Sequence, residues 1–151
     1  MCTALNTSKY ILKYCNEKKV SDCSNKKLQK LLYYVQAWSL ALGKGIVFDD
    51  TIEAWVHGPV VRDVYCKYKE FGFKPIAFDL RGYDQSCFTK AKIATIDSIL
   101  DVYSKYDAEF LEMRTHMESP WLEARRADDK VITTDSMKRY YKNVLDNAGA
   151  K

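Results

Sequence analysis

The stretch LQKLLYYVQAW, from Leu28 to Trp38 and continuing as SLAL to Leu42, is hydrophobic on nearly every side of a helical wheel. Leu28, Leu31, Leu32, Val35, Trp38 and Leu42 follow the i, i+3, i+4, i+7 spacing, and Tyr33, Tyr34, Ala37, Leu40 and Ala41 fill most of what remains. A helix of that kind is buried. It has to sit at the centre of a fold, with other helices packed around it or with part of its surface covered by a partner. Only Gln29, Lys30, Gln36 and Ser39 interrupt the pattern. Ser24 suits the N-cap of this helix, and Gly43, with Gly45 beyond it, suits its end.

Around this helix the chain reads as a mainly α, compact single domain over residues 1–151, with about six helices. A first helix is expected from about Thr7 to Lys18. The run IEAWVH alternates as a short strand, and Ile76 to Phe78 is a candidate second strand that would pair with it as a small β-hairpin. Pro59 suits the first turn of a third helix carrying Val60, Val64, Tyr68 and Phe71, closed by Gly72. A long fourth helix from Thr89 to Tyr106 presents Ile93, Ile96, Ile99, Leu100 and Tyr103. It continues as Ala108 to Met117 after a break near Asp107. Ser119 and Pro120 suit the N-cap and first residue of a short helix with Trp121, Leu122 and Ala124. A last helix is expected over about Asp135 to Leu145.

A chain of 151 residues buries enough surface for a sizeable core, and 47% hydrophobic against 29% charged residues is the balance of an ordered globular protein. The five cysteines (Cys2, Cys15, Cys23, Cys66, Cys87) are odd in number and form no CxxC pair, so reduced thiols are expected rather than a disulfide framework or zinc site. No leader-like start and no window long and apolar enough for a membrane span is found, which points to a soluble, cytoplasmic protein with no membrane contact. The net charge of +4 is mild, and acidic and basic residues alternate along most of the chain. The local excess is Lys18, Lys19, Lys26, Lys27 and Lys30. It reads as solvated surface, with phosphate binding the sharper alternative.

Catalytic signatures are missing: HExxH, GxSxG, P-loop and GxGxxG are all absent, so no enzyme and no cofactor is expected. The two histidines, His57 and His116, are expected to be structural rather than metal ligands. In WVHGPVV, a helix start after Gly58 and Pro59 would leave free N–H groups near Val60, Val61 and Arg62 where an anion can dock; a plain strand-to-helix turn is the simpler reading. Eleven tyrosines favour surfaces that are sometimes dry and sometimes wet, which makes protein interfaces plausible.

KLQKLLYYVQAW, IEAWVHGPVVRDVYCKYK, RTHMESPWLEAR and MKRYYK, in this order, resemble the Panacea-domain family, earlier described as GepA-like or phage-associated proteins. The resemblance runs from Lys26 to Lys142, and its most specific pieces are LQKLLYY and the EAWxxGPV turn. Val56 and His57 stand where members often carry an aromatic residue or a lysine. The resemblance implies an antitoxin, encoded beside its toxin on prophages or other mobile elements, that neutralises a cognate toxin by direct binding. The toxin is then masked, held inactive or presented to a cellular protease. Some relatives carry an added DNA-binding segment; none is expected before Tyr10.

The motif match carries over Lys30, Tyr33, Tyr34, Trp55, Gly58, Pro59, Val60, His116, Pro120 and Trp121 as candidate partner-binding residues. Gln29 and Gln36 are added on the helix stripe, and His57 at the turn, around a groove between the central helix and the GPV turn. The competing reading is a nucleic-acid-binding regulator of a mobile element, resting on the lysine cluster.

Overall fold

The computed structural model describes residues 2–149. Its core is α2 (Asn25–Ala41), in which every residue but Lys26 and Trp38 is buried. The Ser24 side chain accepts the Lys27 N–H at its start, and Gly43 follows its end with φ +74°. Packed on α2 are α1 (Ala4–Glu17), α3 (Arg62–Tyr68), α4 (Lys90–Tyr103), α5 (Ala108–His116) and α7 (Thr134–Gly149). The short α6 (Ser119–Arg126) packs on α5 and α7. The described residues form seven α-helices; the expected break near Asp107 is real, its side chain accepting the Phe110 N–H as the N-cap of a separate α5. Glu118, not Ser119, holds the N-cap position of α6, with Pro120 in its first turn.

A small antiparallel sheet flanks the helices in the order β2–β1–β3, with β1 Ile52–Trp55, β2 Gly58–Val60 and β3 Val131–Ile132. Two expectations are corrected here. The strand IEAWVH ends at Trp55, and Val56 and His57 turn the chain so that Gly58, Pro59 and Val60 return as β2, with Trp55 opposite Gly58 and Glu53 opposite Val60. Pro59 is therefore a strand residue, and α3 begins only at Arg62. The third strand comes from residues 131–132, not from Ile76 to Phe78. Pro75 bridges to Ser24 instead, and the Ile76 N–H donates to the Cys23 carbonyl at 3.0 Å.

The expectation of five reduced thiols is also corrected: Cys2 and Cys87 are joined by a disulfide. The 85-residue separation hid the pair from any local pattern. The start of α1 is held against the loop before α4 by Asn6, whose side chain donates to the Asp84 carbonyl and accepts the Asp84 N–H. Cys15 and Cys23 are buried thiols, and Cys66 is an exposed one.

The polar residues of α2 are buried with partners that pin neighbouring segments. Gln36 donates to the Phe48 carbonyl at 2.8 Å and accepts the Val47 N–H at 2.7 Å, and Ser39 donates to the Gly45 carbonyl at 2.7 Å, so the loop after α2 folds back along it. Tyr33 and Tyr34, fully buried, donate to Glu118 Oε1 and Oε2 at 2.9 and 3.1 Å, and Tyr141 of α7 donates to Oε1 as well. Burial raises the Glu118 pKa above the ordinary carboxylate value, against the opposing pull of the three hydroxyls. Its removal leaves three buried phenols without an acceptor. Glu118→Ala is expected to cost about 3–5 kcal/mol of stability, seen as a Tm lowered by roughly 10 °C in calorimetry.

Candidate functional site

An open cleft of about 840 Å³ lies where the start of α2, the β1–β2 hairpin, α3 and the end of α6 meet. From α2 it is lined by Asn25, Lys26, Gln29 and Lys30; from the hairpin by Glu53, Ala54, Trp55, Val56, His57 and Val60. Arg62 and Tyr65 of α3, Lys69, Phe73, and Arg125, Asp129 and Lys130 complete the walls.

Each wall is held by an identifiable contact. Gln29 accepts the Val61 N–H at 2.9 Å and donates to the Asn25 side chain at 2.9 Å, and Asn25 in turn donates to the Tyr65 carbonyl, so α3 is tied to α2. That bond occupies the Val61 N–H, which removes it from the expected anion-docking group; Val60 lies within β2. On the hairpin, Glu53 accepts from the Trp55 indole at 2.8 Å and the Arg62 guanidinium at 2.9 Å, and those bonds hold its carboxyl below its ordinary range. The Trp55 ring meets Tyr65 edge-on at 4.9 Å between centroids, with the Arg62 guanidinium over its face. From α6, the Trp121 indole N–H and an Arg125 guanidinium N–H donate to the carbonyls of Trp55 and Ala54, both at 2.9 Å.

Lys30 forms the floor. Its side chain runs beneath the hairpin and is 1% exposed, with one long acceptor, the Pro59 carbonyl 3.4 Å from Nζ. Burial, and then the nearby Lys26 charge, push its pKa down to about 7 against the partial relief of Glu112. Gly58 makes this path possible. A Cβ there would sit 2.5 Å from Lys30 Cε and 3.1 Å from Thr115 Oγ1, at a φ of +113° that L-residues rarely adopt.

Five of the thirteen residues expected at a groove therefore line one: Gln29, Lys30, Trp55, His57 and Val60. The others lie behind or beside it. Tyr33, Tyr34 and Gln36 are spent on Glu118 and on the 47–48 backbone; Gly58 and Pro59 are buried in β2. Pro120 starts α6, and Trp121 stacks on His116 at 4.2 Å while bonding β1. His57 Nδ1 lies 3.2 Å from Glu112 Oε2, and His116 Nε2 lies 4.0 Å from the same oxygen. No group of three or more His, Cys, Asp or Glu residues with the arrangement of a metal site occurs among the described residues. Tyr65 and Phe73 were not singled out from the sequence, and Arg62 was named only for its backbone N–H. Arg125 alone carried a signal, lying one helical turn after Trp121 on the same face.

The lysine cluster does not form one basic surface. Lys27 is buried and donates to Asp22 and to the Ser104 carbonyl, both at 2.6 Å, Lys30 is buried in the cleft floor, and Lys26 pairs with Glu112. No described helix is long and apolar enough to cross a membrane.

Two outcomes test the floor. Gly58→Ala, which adds both the close approach and the strained φ, is expected to lose about 1–3 kcal/mol in chemical denaturation. For Lys30, the folded pKa of about 7 lies below the unfolded 10.5, so above pH 7 the unfolded chain binds the extra proton. Stability conferred at this position therefore rises with pH from about 7 towards 9, by at most about 1.4 kcal/mol per unit. The difference in unfolding free energy between Lys30→Met and wild type is expected to shrink over that range, and a constant difference overturns the assignment.

A family model described as antitoxin SocA-like, Panacea domain, matches residues 28–122. That span contains α2 from Leu28, the whole hairpin, α3 and the start of α6. No curated protein and no solved structure matches the chain.

Proposed function

The chain belongs to the SocA-like Panacea-domain antitoxin family, and on that premise we propose that it neutralises a cognate toxin by direct protein–protein binding, with the cleft between α2, the β1–β2 hairpin and α3 as its docking surface. The observation that carries the reading is the coincidence of the cleft with the family-matched span: most of its lining, including Gln29, Lys30, Trp55, His57, Val60, Arg62, Tyr65 and Phe73, falls within residues 28–122. The lining pairs an aromatic and an arginine, the residue types that dominate binding energies when a partner covers them. Phe73, 95% exposed, and Val56, 64% exposed, stand at its edge as apolar area that gains from being covered.

In this reading no bond of the toxin is made or broken by the chain itself. Binding in the cytoplasm masks the toxin, and delivery of the bound toxin to a cellular protease is a further route to the same end. The toxin is encoded next to this chain, on a prophage or another mobile element. The burial of Lys27 and Lys30 and the pairing of Lys26 with Glu112 leave only Lys18 and Lys19 of the cluster exposed, which favours this reading over the nucleic-acid one.

Co-expression of the chain with the adjacent reading frame is the test. Growth arrest by the neighbour alone, relieved by the chain, with the two proteins co-purifying, is the expected result. Relief accompanied by disappearance of the neighbour identifies proteolytic delivery, and failure to relieve a toxic neighbour overturns the reading.

A further inference from the structure

Lys27 and Lys30 are both buried lysines, one turn apart on α2, yet their surroundings differ. Lys27 Nζ has a carboxylate and a carbonyl at 2.6 Å. Lys30 Nζ, with three donors to satisfy, has the single 3.4 Å contact to the Pro59 carbonyl and forms no ion pair among the described residues. A buried ammonium so poorly served is costly, because buried donors are ordinarily satisfied and buried charges ordinarily paired. It is also not an accident of loose packing, since Gly58 leaves out the Cβ that would otherwise meet the lysine side chain. The lysine lies at the floor of the cleft, beneath the hairpin.

We propose that the cleft floor is a carboxylate-binding site, in which Lys30 receives an aspartate or glutamate side chain from an acidic segment of the partner protein. The proposal rests on the antitoxin reading and gives the partner's chemistry. Six basic residues against two acidic ones line the cleft, so an acidic segment meets a complementary field. The same cleft carries Trp55 and Tyr65 in its walls and Phe73 at its edge, so apolar neighbours of that acidic residue have aromatic surface to pack on. A nucleic-acid strand fits less well. A strand of phosphates needs a row of free surface cations, which the pairing of Arg62 with Glu53 and of Lys26 with Glu112 denies it, whereas one carboxylate needs only the unpaired Lys30.

The experiment uses the toxin identified by co-expression, cut into overlapping peptides of about 15 residues, each also made with Asp→Asn and Glu→Gln. Titrated calorimetrically into the wild-type chain, one acidic peptide is expected to bind, and its amide counterpart to bind about thirtyfold or more weakly. Lys30→Met is expected to keep or raise Tm, because an apolar side chain of similar length replaces an unpaired buried charge, and to lose the preference for the acidic peptide. Phe73→Ala, at an exposed position where folding is spared, is expected to weaken binding of both peptides. Equal binding of acidic and amide peptides, or toxin neutralisation by Lys30→Met as complete as wild type, overturns the carboxylate site while leaving the antitoxin reading in place. Failure of the wild-type chain to relieve any toxic neighbour overturns both. Lys30-dependent binding of a short oligonucleotide, falling steeply with salt, overturns the proposal in favour of a phosphate site.

Discussion

Glu118 carries a carboxylate into the core, where a bare charge would cost several kcal/mol, and Tyr33, Tyr34 and Tyr141 each give it a hydroxyl. The cluster joins three elements at one point: α2 through the two adjacent tyrosines, α7 through the third, and α6 because Glu118 is its N-cap residue. The position of α6 then fixes the cleft. Trp121 and Arg125, one turn apart, reach the carbonyls of Trp55 and Ala54, and the hairpin is held where it covers Lys30. The order of dependence runs from a buried carboxylate, through a short helix, to the wall of a surface cleft.

The central helix was legible in the sequence because a run hydrophobic on every side has one solution, burial on every side, and Ser24 and Gly43 marked its ends. The helices α4, α5 and α7 were legible from apolar residues at helical spacing, with a start at Thr89 and a break at Asp107 that the structure shows to be N-caps. What failed was long-range. Gly58 and Pro59 read locally as a turn into a helix, and only the pairing of Trp55 with Gly58 and Glu53 with Val60 makes them a strand. The third strand comes from two residues more than seventy positions away, too short for any alternation to show. The disulfide depends on the same kind of closure, Cys2 meeting Cys87 because the α1 start lies against the loop before α4.

The candidate site was half legible for an instructive reason. Aromatic and glycine–proline signals pointed to the right region, but motif residues include both those that line a cleft and those that hold it. Tyr33, Tyr34, Gln36 and Trp121 spend their polar atoms inside the structure. The lysines misled in the opposite direction. A run of basic residues reads as solvated surface, yet a helix buried on all sides turns its lysines inward too, and only the neighbours brought by folding decide which is satisfied. Asp22 and Ser104 were at hand for Lys27; nothing comparable was for Lys30.

The way the hairpin is fastened separates the frame of the cleft from its lining. Trp121 and Arg125 bond to backbone carbonyls of β1, and the Ala54 N–H donates to the Lys130 carbonyl at 2.7 Å, so these fastenings depend on the path of the strand and not on which side chains it carries. Gly58 and the Lys30 stem beneath it are constrained by close contact, whereas Val56 and His57 at the tip and Phe73 at the edge are exposed. Substitutions at the tip and edge therefore change the exposed surface of the cleft at little cost to the fold, while the floor keeps one lysine side chain in one place. A rigid frame with a fixed floor and a replaceable rim is a physical basis on which one architecture can present different binding surfaces.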